Sequence, residues 1–386
     1  MDALEGLNLL SADVDLEPAE DVRLQSRTSA APLCGSKPKE PFLSQATLPN
    51  GKQITLLKSL LSTACERNCI YCPFRAGRDT RRVTFKPDEM ASTFMSLHQA
   101  GIVEGIFLSS GIIGGGSRTQ DKIIAVAEIL RQKYQYQGYM HLKLMPGIER
   151  AQVERTMQLA DRVSVNLEAP NAHRLEILAP RKMFIEELIQ PLRWVEEIRV
   201  NQPRQKGWKG RWPSITTQFV VGAAGETDLE LISTTESLIH QVRLQRAYYS
   251  AFRPIARTPL ENMPGENPLR QNRLYQASFL LRDYGFQLEE LPFDENGKLP
   301  LNVDPKAAWA QENLIHCPIE INTVDRQELL RIPGIGPSGA ARILQARRRE
   351  PIRSLEDLRR LGISVERSSP YILLNGVQPA RQLRFF

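Results

Sequence analysis

Cysteine is scarce in this chain: five in 386 residues, an odd number, with three of them between positions 65 and 72. So few and so clustered, they do not form a disulfide framework, and they fit a reducing compartment. Long apolar runs are also missing, since none reaches the ~18 residues of a membrane span. The opening Met-Asp-Ala-Leu-Glu-Gly, followed by Asp13, Asp15, Glu17, Glu20 and Asp21, has the wrong charge pattern for a secretory or transit peptide. The expectation is therefore a cytoplasmic protein with no membrane partner. Lysine is absent from Ile319 onward, although that segment holds twelve arginines against seven acids and carries +5 of the net charge of +6. Basic charge gathered in one small segment is the footprint of a polyanion-binding module, or else of a solvated helix face. A hydrophobic content of 41% with 24% charged residues is ordinary for a globular chain of about two domains.

The three clustered cysteines, Cys65, Cys69 and Cys72, stand as C-x3-C-x2-C in Ala-Cys-Glu-Arg-Asn-Cys-Ile-Tyr-Cys-Pro-Phe. No fourth is near: Cys34 lies in a loop-like stretch, and Cys317, beside His316, is far along the chain. A structural zinc site wants four Cys or His ligands, usually as two pairs, and no second pair is recognisable. Cubane iron–sulfur clusters are normally held by four cysteines, so a loop of three leaves one iron open to a ligand. This spacing, with the aromatic Tyr71 directly before the third cysteine, resembles the signature of the radical S-adenosylmethionine (SAM) superfamily. The resemblance implies a [4Fe-4S] cluster on Cys65, Cys69 and Cys72 whose open iron chelates SAM. It further implies a one-electron reductant such as flavodoxin or ferredoxin, and cleavage of SAM to a 5′-deoxyadenosyl radical that abstracts hydrogen from substrate.

Residues 1–50 lack sustained periodicity and read as a leader with one short helix near Asp2–Leu10. Strands are expected at 54–63, 104–109, 139–145, 162–168, 214–222 and 246–252, each followed by a helical pattern, at 87–100, 119–134, 149–160, 184–200, 228–241 and 268–284. Strands alternating with helices argue for a parallel sheet. Six such units match the partial (β/α)6, TIM-like barrel of the radical SAM family over residues 51–293. A linker is expected at 294–318 and a small all-α domain at 319–386.

In barrels of this kind functional groups sit at the C-terminal ends of strands, and the cysteine loop directly follows the first predicted one. The second strand ends Ser109-Ser110-Gly111, then Gly114-Gly115-Gly116, where the family has a Gly-Gly-Glu-like turn that binds the SAM amino group; a plain turn is the alternative. It is not a phosphate-binding loop, because Gly-Ser-Arg replaces the Gly-Lys-Ser/Thr of Walker A. On the fourth strand Ser164, Asn166 and Glu168 alternate and so share one face, which the resemblance assigns to SAM contacts; a solvent-facing polar stripe is the alternative. Gly222 and Glu226 keep the spacing of the family's element beside the adenine, or Glu226 simply starts the next helix. Tyr71, Ser109, Ser110, Gly111, Ser164, Asn166, Glu168, Gly222 and Glu226 are thus the expected cofactor-binding residues. Arg75, Arg78, Arg81 and Arg82 after the cluster, and Arg204, Lys206, Trp208, Lys209, Arg211 and Trp212 before the fifth strand, are expected around the same site, where bases and rings together suit a single strand.

From Glu320 the text changes to Ile-Asn-Thr-Val-Asp-Arg-Gln-Glu-Leu-Leu-Arg-Ile-Pro-Gly-Ile-Gly-Pro-Ser-Gly-Ala-Ala-Arg. It resembles a helix-hairpin-helix motif, with helices at 324–331 and 338–348 and a supporting helix at 355–361. Glycines let a backbone approach a phosphate, which the free N–H groups at a helix start favour. The expected nucleic-acid contacts are Gly334, Ile335, Gly336, Arg342, Arg347 and Arg348; protein contact or pure packing is the alternative. With Tyr248-Tyr249-Ser250-Ala251-Phe252-Arg253-Pro254 on the sixth strand, the whole chain resembles the bacterial family described as DNA modification or repair radical SAM proteins. That resemblance implies an enzyme acting on DNA held by the C-terminal module. The alternatives are a radical SAM enzyme on RNA or a small molecule with a docking tail, and a binding protein with a structural or redox-sensing cluster.

Overall fold

The computed structural model describes residues 3–11, 40–47 and 51–379. Two compact units emerge: one takes the residues up to Glu226 together with Ser237–Asn267, the other Thr227–Glu236 together with Pro268 onward.

The first unit is built on a seven-stranded sheet in sequential order. Its strands are β1 (Leu43–Thr47), β2 (Gln53–Leu60), β3 (Gly105–Ser109), β4 (Tyr139–Lys143), β5 (Arg162–Glu168), β6 (Ser214–Val221) and β7 (Arg246–Ala251). Strands β2 to β7 are parallel, and β1 pairs antiparallel with β2. Because β1 and β7 remain the two edges, the sheet is a half-barrel, as the alternation of elements predicts. The leader supplies the expected short helix, α1 (Ala3–Ser11), whose Leu7 and Leu10 are fully buried, and differs from expectation in adding edge strand β1. Cys34 lies outside the described residues.

Helices follow the parallel strands in chain order: α2 (Pro87–Gln99), α3 (Gly116–Glu128), α4 (Arg150–Leu159), α5 (Ala172–Leu178), α6 (Gln190–Asn201), α7 (Asp228–Val242) and α8 (Pro268–Tyr284). Helix α2 begins where Pro87 tolerates the lost N–H, and the Glu89 carboxylate accepts from the Lys86 amide at 2.8 Å. Its inward face carries Met90, Phe94 and Leu97. Two helical stretches expected as uniform contain π-helical turns, Ile129–Lys133 after α3 and Phe184–Ile189 before α6.

At the N-terminal edge of the sheet Arg131 is nearly enclosed. Its guanidinium donates to the carbonyls of Tyr136, Gly138 and Leu159 and to Asp161, and lies 3.6 Å from the centroid of the Trp208 ring. Removing one partner of a buried pair leaves an uncompensated charge.

In the second unit α8 packs on α9 (Pro305–Asn313), which starts from Asp304 with its side chain accepting from the Ala307 amide. The stretch expected as a linker thus contains a helix, and Ala310 and Leu314 join the hydrophobic cluster of the segment after it. There β8 (Ile319–Glu320) pairs in parallel with β9 (Ile372–Leu373), so the segment is not purely helical. Helices α10 (Arg326–Arg331) and α11 (Pro337–Arg347) flank one hairpin, and α12 (Leu355–Arg360) and α13 (Val365–Ser368) flank a second. The two match in detail. Asp325 with Glu328, and Ser354 with Asp357, form capping boxes; Gly334 and Gly362 have φ of 85° and 70°; Ile335 and Ile363 are buried after them. Asn322 ties the halves together, pairing its amide with both backbone groups of Ile352 at 2.9 Å.

Arg131→Met should cost the barrel unit about 3–5 kcal/mol, by analogy with other severed buried pairs. Denaturant unfolding followed by tryptophan fluorescence measures it; a loss below about 1 kcal/mol would show that the carbonyl clamp is dispensable.

Candidate active site

The segment between β2 and α2 has no long element of its own, and its conformation comes from side chains that grip backbone. Where it leaves the sheet, the Leu61 amide donates to the Ser109 carbonyl, the Thr63 amide to Val83 and the Gly111 amide to Ser62. A Cβ on Gly111 would stand 2.2 Å from the Ala64 carbonyl oxygen, so only glycine lets the β3 exit lie against the cysteine loop. Arg82 then folds the loop over itself, donating to the carbonyls of Thr63, Phe74, Arg75 and Arg78 at 2.7 to 3.1 Å. Arg78 adds the carbonyls of Pro73 and Ala256, and Arg81 pairs with Glu5. Of the arginines expected to face a polyanion, these three therefore hold the protein.

The far side of the loop is tied by two more pairs. The Glu66 carboxylate accepts from the amides of Gly114 and Gly115 at 2.9 and 3.1 Å. The glycine turn expected to bind a cofactor amine thus binds a carboxylate of the cysteine loop. Arg67 meets Glu187 at 2.5 Å, with both side chains largely buried, and also donates to the Arg181 carbonyl. Glu187 itself accepts from the amide of Met183, the residue just before the π-helical turn, so the irregular turn aims that carboxylate at the loop.

Cys65, Cys69 and Cys72 line one pocket, together with Tyr71, Phe74, Ser109, Ser110, Gly111, Lys143, Asn166, Glu168, Lys182 and Gln218. Every lining strand residue lies at or near the C-terminal end of its strand. The sulfurs are prepared for negative charge: the Arg67 and Ile112 amides donate to Cys65 Sγ and the Phe74 amide to Cys72 Sγ, each at 3.4 Å. Among the described residues no three His, Cys, Asp or Glu side chains converge on a single metal ion. One thiolate per iron corner requires no such convergence, whereas a mononuclear zinc site does. Burial pushes the Cys69 thiol up and the Cys72 thiol well up, so iron must displace protons from both.

Glu168 closes the pocket under strain. It has φ of 65°, follows a register shift between β5 and β6, and is 4% exposed. Its Oε1 takes the Lys182 ammonium at 2.9 Å, while its Oε2 is buried without a hydrogen bond. A buried orphan oxygen facing a pocket marks a place for a donor on a ligand. Burial alone would lower the Lys182 ammonium, but Cys69 and Glu168 outweigh it and hold it above the usual lysine range. The Tyr71 hydroxyl is pushed well up by burial, then by Glu168 and the neighbouring thiols.

The other expected residues separate. Asn166 reaches the pocket, and its Oδ1 accepts from Lys143 at 2.5 Å. Ser164 lies deeper, bonded to His141 at 2.8 Å, and does not line the pocket. Gly222 and Glu226 do not line it either: Glu226 closes its own turn, accepting from the amides of Gly222 and Ala224. The basic and aromatic segment 204–212 precedes β6 and so lies at the N-terminal ends of the strands, opposite the cysteines. There Lys209 donates to Gln137 and Arg211 to Asp161. Lys182, Arg67 and Glu187 were not foreseen, since they come from separate loops with no motif spacing. Lys143 had a faint signal as a cation on an otherwise largely apolar, buried strand.

Residues 59–238 match the family model described as the radical SAM superfamily. Over that span, a little under half of its length, the chain matches a radical SAM domain. The domain is that of an enzyme, and its cofactors are a [4Fe-4S] cluster and SAM. Solved structures of similar fold include methylornithine synthase, at 15% identity and a TM-score of 0.46, covering 58% of this chain and 61% of that one. The FeFe-hydrogenase maturase HydG from Carboxydothermus hydrogenoformans is similar at 14% and 0.43, covering 58% and 51%. A radical SAM methyltransferase from Sphaerobacter thermophilus is similar at 16% and 0.43, covering 61% and 69%. The chain thus spans between half and two thirds of the first two, and likeness of this degree is no guide to substrate. No curated protein matches the chain. Among the described residues no helix is long and apolar enough to cross a membrane.

The donor set fits the cluster: three thiols in one pocket, three amides aimed at two of the sulfurs, and a glycine cradle holding the loop. Cys65→Ala, Cys69→Ala and Cys72→Ala should each abolish the visible absorbance of a reconstituted cubane, and Cys34→Ala should leave it. Gly111→Ala, which removes no thiol, should also lower cluster content severalfold. Because the Cys69 and Cys72 thiols are raised, loading should fall as pH is lowered and recover as it rises; iron content measured across a pH series that runs the other way would contradict this.

Proposed function

We propose that the chain is a cytoplasmic radical SAM enzyme that acts on DNA, with the C-terminal hairpins holding the polyanion and the cysteine pocket generating the radical. A cluster held by Cys65, Cys69 and Cys72 would pass one electron, drawn from flavodoxin or ferredoxin, to bound SAM, whose S–C5′ bond would break to give methionine and the 5′-deoxyadenosyl radical. Within the pocket Ser109, Ser110, Gly111 and Asn166 offer polar groups to SAM. Glu168 Oε2 is suited to accept from a ribose hydroxyl or the amine, and Tyr71 packs beside it. A base or sugar buried in a duplex is out of reach of such a pocket, so the substrate is a single strand or an extruded nucleotide.

The observation that carries the nucleic-acid reading is the first hairpin. Among the described residues, the amides of Gly334 and Gly336 donate to no backbone carbonyl, and both glycines are half-exposed at the start of α11. Backbone amides at a helix start favour phosphate. Ile335, expected among the contacts, serves the fold instead: its side chain is 1% exposed, its amide donates to the Ile332 carbonyl and its carbonyl accepts from Lys306. Arg342 donates to the Leu361 carbonyl and Arg347 to Ile321, so both are partly committed to the fold. Arg348 and Arg349 at the end of α11 are exposed and are the freer cations.

Contacts of this kind read phosphate and not base, and they weaken steeply with salt. The variant Arg348→Glu/Arg349→Glu should therefore weaken DNA binding at least tenfold, equally for unrelated sequences, with a shallower dependence of log K on log salt. Uncoupled SAM cleavage should be unchanged. Unaltered affinity and salt slope, in the full chain, would remove the hairpin unit as the DNA-holding element; a stronger effect on RNA than on DNA would move the substrate to RNA.

A further inference from the structure

The pocket holds a charge pair whose lysine no step above requires. Lys182 and Glu168 form a salt bridge at 2.9 Å with side-chain exposures of 9% and 5%, on the same wall as the three cysteines. The segment bearing Lys182 is fastened to the cysteine loop at two points. The Ile70 amide, next to Cys69, donates to Leu178, and the Arg67 guanidinium donates to Arg181. Lys182 is anchored in turn by its own amide, at 2.8 Å from the Ala179 carbonyl. Cys69 is 6% exposed. The ammonium is therefore fixed in a region of low dielectric beside sulfurs that become thiolates, where charge acts strongly.

We infer that Lys182 is the counter-charge of the iron–sulfur cluster and sets its midpoint potential, with Glu168 as the opposing charge that holds the ammonium in place. A cluster that gains an electron becomes more negative. A buried cation nearby favours the reduced form and a buried anion the oxidised form; net charge near the cluster is one of the known determinants of its potential. The pair thus gives opposite signs to its two members. Lys182 acts as a positioning and electrostatic residue, and its role rests on the cofactor assignment alone, independent of the nucleic-acid reading.

The test is a redox titration of the reconstituted, SAM-free full chain, followed by the electron paramagnetic resonance signal of the reduced cluster. The variants are Lys182→Met, Lys182→Arg and Glu168→Gln, in alkaline buffer that keeps an isolated carboxylate ionised. Lys182→Met should shift the midpoint to more negative potential, Glu168→Gln should shift it to more positive potential, and Lys182→Arg should stay near the parent. Should Lys182→Met fail to assemble a cluster, Glu168→Gln against Lys182→Arg still reads the sign. Shifts in the same direction, or no shift in loaded Glu168→Gln or Lys182→Met, would overturn the inference, since a residue that merely packs lowers cluster content without ordering the potentials by charge. A parent chain that assembles no cubane would instead overturn the cofactor assignment beneath it.

Discussion

A loop with little regular structure must hold three thiols in place, and the architecture of the barrel mouth answers that requirement. Backbone groups in such a loop have no ladder to satisfy them. Here Arg82 takes four carbonyls and Glu66 takes two amides. Arg67 with Glu187 joins the loop to the π-helical turn. These charged side chains act inward on the chain's own backbone, which makes them poor candidates for substrate contact and good ones for rigidity. A site held this way is preorganised for a cluster, because little further ordering is needed when iron arrives.

Around that loop the electrostatics run in two directions. Burial raises the Cys69 and Cys72 thiols and so resists the charged state, while amides on Cys65 and Cys72 and the Lys182 ammonium favour it. Glu168 sits between these influences at a backbone angle that a non-glycine residue rarely adopts. Strain of this sort persists only where the surroundings over-determine it, and the register shift and the Lys182 pair do so. One oxygen holds the lysine and the other is buried without a hydrogen bond.

Much of this was legible in the sequence, and the failures have physical causes. The parallel strands stand out as short Val, Ile and Leu runs between turns, and the cysteine spacing is dense enough to read alone. Strand β1, Leu-Ser-Gln-Ala-Thr, has little pattern because an edge strand is defined by its partner rather than by its own periodicity. Helix α9 was hidden by weak amphipathicity, although Asp304-Pro305 is a start signal. The Trp-Lys-Gly-Arg-Trp stretch was placed at the wrong end: a segment that precedes a strand lies at that strand's N-terminal end, which chain order alone implies. The roles of Glu66 and Glu187 were not readable, because each binds residues more than forty positions away.

The second unit repeats one device twice, a capped short helix, a glycine at positive φ and a buried isoleucine; Ile335 and Ile363 serve the core, and a Cβ on Gly334 would stand 2.7 Å from the Ser364 carbonyl oxygen, so the first hairpin is packed against the second. In the proposed function radical chemistry and polyanion binding belong to separate parts of the chain, and only transfer of an atom from one to the other joins them. Anaerobic turnover of the reduced full chain with SAM and deuterated DNA, single-stranded and duplex, reads that transfer directly. The account predicts deuterium in the 5′-deoxyadenosine released; 5′-deoxyadenosine formed at the same rate and without label from every DNA offered would contradict it.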